Sequence, residues 1–115
     1  MPYQGPIDYK VTGGFFGTGD GTPPLHIEPD GTATRDAAPL TLDSQVVEDL
    51  YQKAADARLA MLLPEYNCSC ADDYVHVVTV RIDGMPRSIE VHEMASYPDR
   101  LKDLLDMLQA IAGER

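Results

Sequence analysis

No run in this 115-residue chain approaches the roughly 18 consecutive apolar residues that a membrane-crossing helix needs. The opening Met1-Pro2-Tyr3-Gln4-Gly5-Pro6 has neither a basic start nor an apolar core, so no signal peptide is read there. The expectation is a cytosolic chain, or an exported one without its leader. Basic residues are also scarce: nine Lys and Arg stand against 19 Asp and Glu, a formal charge of −10. The excess runs through both halves, nine acids to four bases in residues 1–60 and ten to five in residues 61–115, so it is no charged tail. Such a field repels phosphate backbones and anionic lipid, which argues against nucleic acid or a membrane surface as partner. Cysteine is limited to Cys68 and Cys70. A bridge between them would close a very small ring and constrain little, so no disulfide scaffold is expected. Two incidental thiols in a loop are the first reading and a reactive CxC pair the second. Zinc needs about four ligands and no second Cys pair lies nearby, so no metal is assigned.

Catalytic signatures are missing as well. His92-Glu93-Met94-Ala95-Ser96 begins like the HExxH zinc-protease motif, but Ser96 stands where the second imidazole belongs. His92 also falls at a strand end rather than on a helix. If Val78, Val80 and Ile82 share the core face with Ile89 and Val91, then His76 lies on the core side and His92 on the outer side. The two then share neither a metal nor a proton. No GxSxG frames a serine. Asp72-Asp73, with Glu65 nearby, lacks the alternating calcium-loop pattern and reads as a solvated acidic loop. The chain is therefore read as a non-enzyme without a cofactor.

What is present is a glycine-rich stretch, Gly13-Gly14-Phe15-Phe16-Gly17-Thr18-Gly19-Asp20-Gly21, holding five glycines and both phenylalanines of the chain. It matches neither GxGxxG nor GxxxxGK[ST], and no helix pattern follows it, so it is not a phosphate cradle. One reading is a hairpin connection with a Phe tucked into the core. The other uses both aromatics: adjacent residues of an extended stretch point to opposite faces, so one Phe anchors and the other is offered to a partner.

Around this stretch the patterning is regular. Residues 1–6 form a loose lead-in. Ile7–Thr12 and Leu25–Glu28 alternate apolar and polar as half-buried strands do. Pro29-Asp30-Gly31-Thr32 marks a turn into a short strand over Thr32–Arg35. Asp36–Pro39 reads as a linker. A helix then begins near Thr41 to Asp43, with Val46, Val47, Leu50, Ala54, Ala57 and Met61 on its apolar face and Pro64 as its stop. Glu65–Asp73 reads as an irregular loop. Tyr74–Ile82 and Arg87–His92 form a hairpin around Asp83-Gly84. A closing helix follows Pro98, capped by Ser96 or Tyr97, striped by Leu101, Leu104, Leu105, Leu108 and Ile111, and ended by Gly113. The expected fold is a single α+β domain over residues 1–115, an antiparallel sheet of four to five strands with two amphipathic helices packed on one face.

A strand ending in Thr12-Gly13-Gly14-Phe15-Phe16-Gly17, then a second strand and an amphipathic helix, resembles the emfourin family of small bacterial proteins. So do Asp73-Tyr74 at the start of a β-hairpin and the Leu-rich helix after Pro98. The similarity spans roughly residues 7–111. The resemblance implies a proteinaceous inhibitor of thermolysin-like zinc metalloproteases. Gly13, Gly14, Phe15, Phe16, Gly17, Thr18 and Asp20 would then form the contact, with Phe15 or Phe16 in an apolar subsite and Asp20 approaching the partner's zinc. This chain departs from the family in its longer loop, Thr18–Pro24, and in Cys68-Ser69-Cys70. A binding or accessory domain of an exported or cell-envelope protein is the alternative function.

Overall fold

The computed structural model describes residues 5–14, 22–68, 73–82 and 84–112. In chain order these form β1 (Ile7–Gly13), β2 (Leu25–Ile27), β3 (Thr32–Arg35), β4 (Ala38–Thr41), α1 (Ser44–Ala57), a 3-10 turn (Leu59–Met61), β5 (Glu65–Tyr66), β6 (Tyr74–Ile82), β7 (Met85–His92) and α2 (Asp99–Ala112). The α+β class is as expected, but the sheet has seven strands rather than four to five, in the order β4-β3-β2-β1-β6-β7-β5. It is also mixed, because β5 runs parallel to β7.

Alternation sets the sheet's inner face. Ile7, Tyr9 and Val11 of β1 are buried while Asp8 and Lys10 between them are exposed. The register carries that face across the central strands, with Tyr9 opposite Val78 and Val78 opposite Ile89. These residues, with Leu25, Ile27, Val80 and Val91, form one cluster with the helix stripes. From α1 that cluster takes Leu50, Ala54 and Ala57; from α2, Leu101, Leu104, Leu105 and Leu108. Gly5, expected in a loose lead-in, is tied down: its carbonyl accepts from the Tyr51 hydroxyl at 2.6 Å.

Three local readings need correction. The first helix starts as expected, capped by the Asp43 carboxylate accepting from Gln45 N–H at 2.8 Å. It stops at Ala57 rather than running to Pro64, because Arg58 takes a left-handed conformation, φ 52°. That bend lets Leu59 and Leu62 turn back into the core. Residues 36–39 are no linker: Asp36 and Ala37 both have positive φ and make a tight hairpin turn, from which β4 returns along β3. Inside the expected loop at residues 65–73, β5 is added to the sheet edge, secured by Glu90 N–H donating to Pro64 O at 2.9 Å. At the last helix the Pro98 carbonyl accepts from the N–H groups of Leu101 and Lys102. Gly113, the expected helix end, lies outside the described residues.

Candidate functional site

At one end of the sheet β1 finishes, β6 begins, and β7 and β5 finish. The glycine-rich stretch leaves from this end. Gly14 N–H donates to Asp73 O at 2.9 Å. Gly13 and Gly14 have φ +81° and +80°, and neither has room for a side chain. A Cβ on Gly13 would lie 2.5 Å from Asp73 O, and one on Gly14 would lie 2.5 Å from the Tyr74 ring. Glycine is required twice over, by dihedral and by space. Of the sequence-predicted contact residues, only these two are placed. Phe15, Phe16, Gly17, Thr18 and Asp20 lie outside the described residues.

The far side of the loop is fixed through side chains. Thr22 is buried and its Oγ1 accepts from Gln109 Nε2 at 3.1 Å. Gln109 Oε1 in turn accepts from the Tyr9 hydroxyl at 2.8 Å. That hydroxyl also meets His76 Nδ1 at 2.7 Å, and the two rings stack at 6.0 Å. His76 Nε2 lies 3.3 Å from Glu93 Oε1. A polar chain, buried at Tyr9–His76 and part-buried elsewhere, thus links the loop's exit to α2, β1, β6 and the turn after β7. Buried polar groups persist when partnered in this way. His76 is accordingly a structural histidine of the core.

A second cluster sits beside the glycines. Cys68 Sγ is 3.2 Å from Asp73 Oδ2, which also accepts from Met94 N–H at 3.3 Å. His92 places Nδ1 3.9 Å from that same oxygen and Nε2 3.8 Å from Glu65 Oε2. The Asp73 side chain is only 4% exposed, so the reading of a solvated acidic loop fails at Asp73. Asp72 lies outside the described residues. Cys68 is disulfide-bonded, which corrects the reading of two incidental thiols. The only other cysteine of the sequence, Cys70, is outside the described residues. His76 pairs with Val91 and His92 with Val75, the parity expected, so the two imidazoles take opposite faces. His92 is nevertheless more enclosed than an outer-surface residue, with its side chain 19% exposed.

The third histidine is remote from this end. His26 lies between Asp8 and Glu28, at 2.6 Å from each carboxylate. The hydrogen bond to Asp8 foremost, opposed by burial and aided by Glu28, raises its pKa above the ordinary imidazole value. A groove of about 260 Å³ opens nearby, lined by Asp8, Lys10, Pro24, Leu25, Val77 and Thr79 among others. It gathers no activated nucleophile or paired acid and base among the described residues, and an exposed ion pair such as His26 with Asp8 holds a surface together only weakly.

Comparison with protein-family models, curated proteins and solved structures finds no match.

Sequence reasoning found the glycine doublet but not its anchor, because Asp73 reads as one acid among many. The one available signal was the doublet itself, since two adjacent glycines ending a strand ask what approaches them so closely.

Proposed function

We propose that this chain is a partner-binding domain that inhibits a protease through the loop between β1 and β2. The observation that carries the reading is the anchoring of that loop at both ends. Gly14 is bonded to the backbone of Asp73, the residue just before β6, and Thr22 to Gln109 of α2. A loop leaving fixed ends pays less ordering entropy on association than a free one, which suits a contact element. Phe15 or Phe16 would supply the apolar anchor, with Gly17, Thr18 and Asp20 beside it. The resemblance to emfourins directs the choice of partner to thermolysin-like zinc metalloproteases, and the acidic surface suits a partner with basic or cationic groups near its cleft.

The test is a titration of the full chain into a panel of such proteases, with peptide hydrolysis as readout. Stoichiometric loss of activity is expected. Replacing Phe15 and Phe16 together by Ala should weaken inhibition by about 30-fold or more, since removing a central aromatic anchor costs about 2 kcal/mol. Undiminished hydrolysis across the panel at micromolar excess overturns the inhibitor reading. Binding without loss of activity would favour the accessory-domain function instead.

A further inference from the structure

Beside the loop's anchor, three potential metal ligands converge. Cys68 Sγ, an Asp73 carboxylate oxygen and a His92 ring nitrogen all lie within 4.8 Å of one another. Partner binding through the loop gives them no task. Bonds of about 2.0–2.3 Å to tetrahedral zinc hold ligand atoms roughly 3.3–3.8 Å apart. The separations of 3.2 Å for Cys68–Asp73 and 3.9 Å for Asp73–His92 lie within about 0.1 Å of that range. Only the Cys68–His92 distance, 4.8 Å at most, has to contract, and by about 1 Å or less.

Two further observations point to a cation. His92 Nδ1 is buried and, among the described residues, has no hydrogen-bond partner, although it faces a carboxylate oxygen. The Asp73 carboxylate is almost fully buried, and among the described residues no Lys or Arg pairs with it. Buried charge is normally paired or bound to metal. Glu65, on the other side of the His92 ring, stands where a carboxylate orients a metal-bound imidazole through its second nitrogen. Sulfur, oxygen and nitrogen donors of this kind suit zinc better than calcium or magnesium, which prefer oxygen alone.

The sulfur decides when such a site exists. A disulfide sulfur has neither a charge nor a proton to exchange, and it is the thiolate that binds metal. We propose that Cys68, Asp73 and His92 form a zinc site that is closed while Cys68 is disulfide-bonded and opens when a dithiol reduces it. In the reduction, the dithiol gives two electrons and two protons to the disulfide. Two protein thiols result, and the reductant leaves as its own disulfide. Zinc then displaces the Cys68 thiol proton to solvent as the sulfur–zinc bond forms.

The test uses the full chain, reduced with a dithiol and freed of it without oxygen, and cobalt(II) as the probe. A thiolate-to-cobalt charge-transfer band saturating at one equivalent, and displaced by zinc, is expected. The oxidised chain should show no such band. Asp73→Asn and His92→Gln should each weaken cobalt binding at least about tenfold, and Cys68→Ser should abolish the band. Circular dichroism checks folding, and the strand-end His92→Gln variant carries the ligand test if Asp73→Asn does not fold. A reduced chain without the band, an oxidised chain with the same band, or unchanged affinity in both ligand variants overturns the proposal. None of these readouts involves a protease, so the site and the inhibitor reading stand or fall separately.

Discussion

Gly13 and Gly84 have nearly the same dihedral, φ +81° and +79°, but different surroundings. A methyl on Gly84 would meet nothing within 4 Å, whereas one on Gly13 meets a backbone carbonyl that cannot turn away. Gly84→Ala should therefore cost only the left-handed strain, about 1–2 kcal/mol. Gly13→Ala should cost clearly more, because Asp73 must also shift and loosen the Gly14 hydrogen bond. Urea midpoints of the two variants measure the difference, and equal midpoints would show that the close approach is not tight. At this scale the sequence was half readable. A glycine doublet beside two phenylalanines is conspicuous in any composition. Asp73, in an acidic stretch that looks solvated, gives no sign that its side chain is buried or that its carbonyl closes on Gly14. That information is held in the pairing of β1 with β6, two strands far apart in the chain.

The elements that were legible are the long periodic ones. Asp43 and the apolar stripe announce α1, and four leucines announce α2, because burying one helical face leaves a 3.6-residue signature. Two strands escaped for physical reasons. With two residues, β5 is too short to show alternation, and β4 follows a turn of Asp36 and Ala37 that lacks the glycine or asparagine such turns favour. The end of α1 escaped in the same way. Arg58 holds the left-handed cap position that glycine usually fills, and its side chain is exposed. Replacing it with Gly removes the strain at the cost of extra freedom in the unfolded chain. A net gain of about 0.5–1 kcal/mol is expected, a rise in melting temperature of about 3 °C. A calorimetric scan of Arg58→Gly checks this, and a lower melting temperature would mean that the arginine stem covers apolar surface.

Across the whole molecule, 19 acids and nine bases share a body with a radius of gyration of 13.5 Å. At about 0.01 M ionic strength the screening length is about 30 Å, so the excess carboxylates repel one another across the entire domain. Near 0.15 M it falls to about 8 Å. Few favourable pairs oppose that relief: among the described residues, Lys102–Asp106 is the one pair joining Lys or Arg to a carboxylate. Added salt should therefore raise the urea midpoint over this range, and a midpoint that falls would mean attractive pairs outweigh the repulsion.

The two outer strands of the sheet have a further effect. One border is β4, where Pro39 lies opposite Thr34, and the other is the two-residue β5. Proline lacks an N–H, so β4 presents an interrupted row of donors, and β5 is too brief to template a neighbour. Neither border invites a second chain to continue the sheet. A small domain with a seven-stranded layer is thereby kept from growing edge to edge into fibres, and concentrated solutions should remain free of cross-β aggregate while the fold is intact.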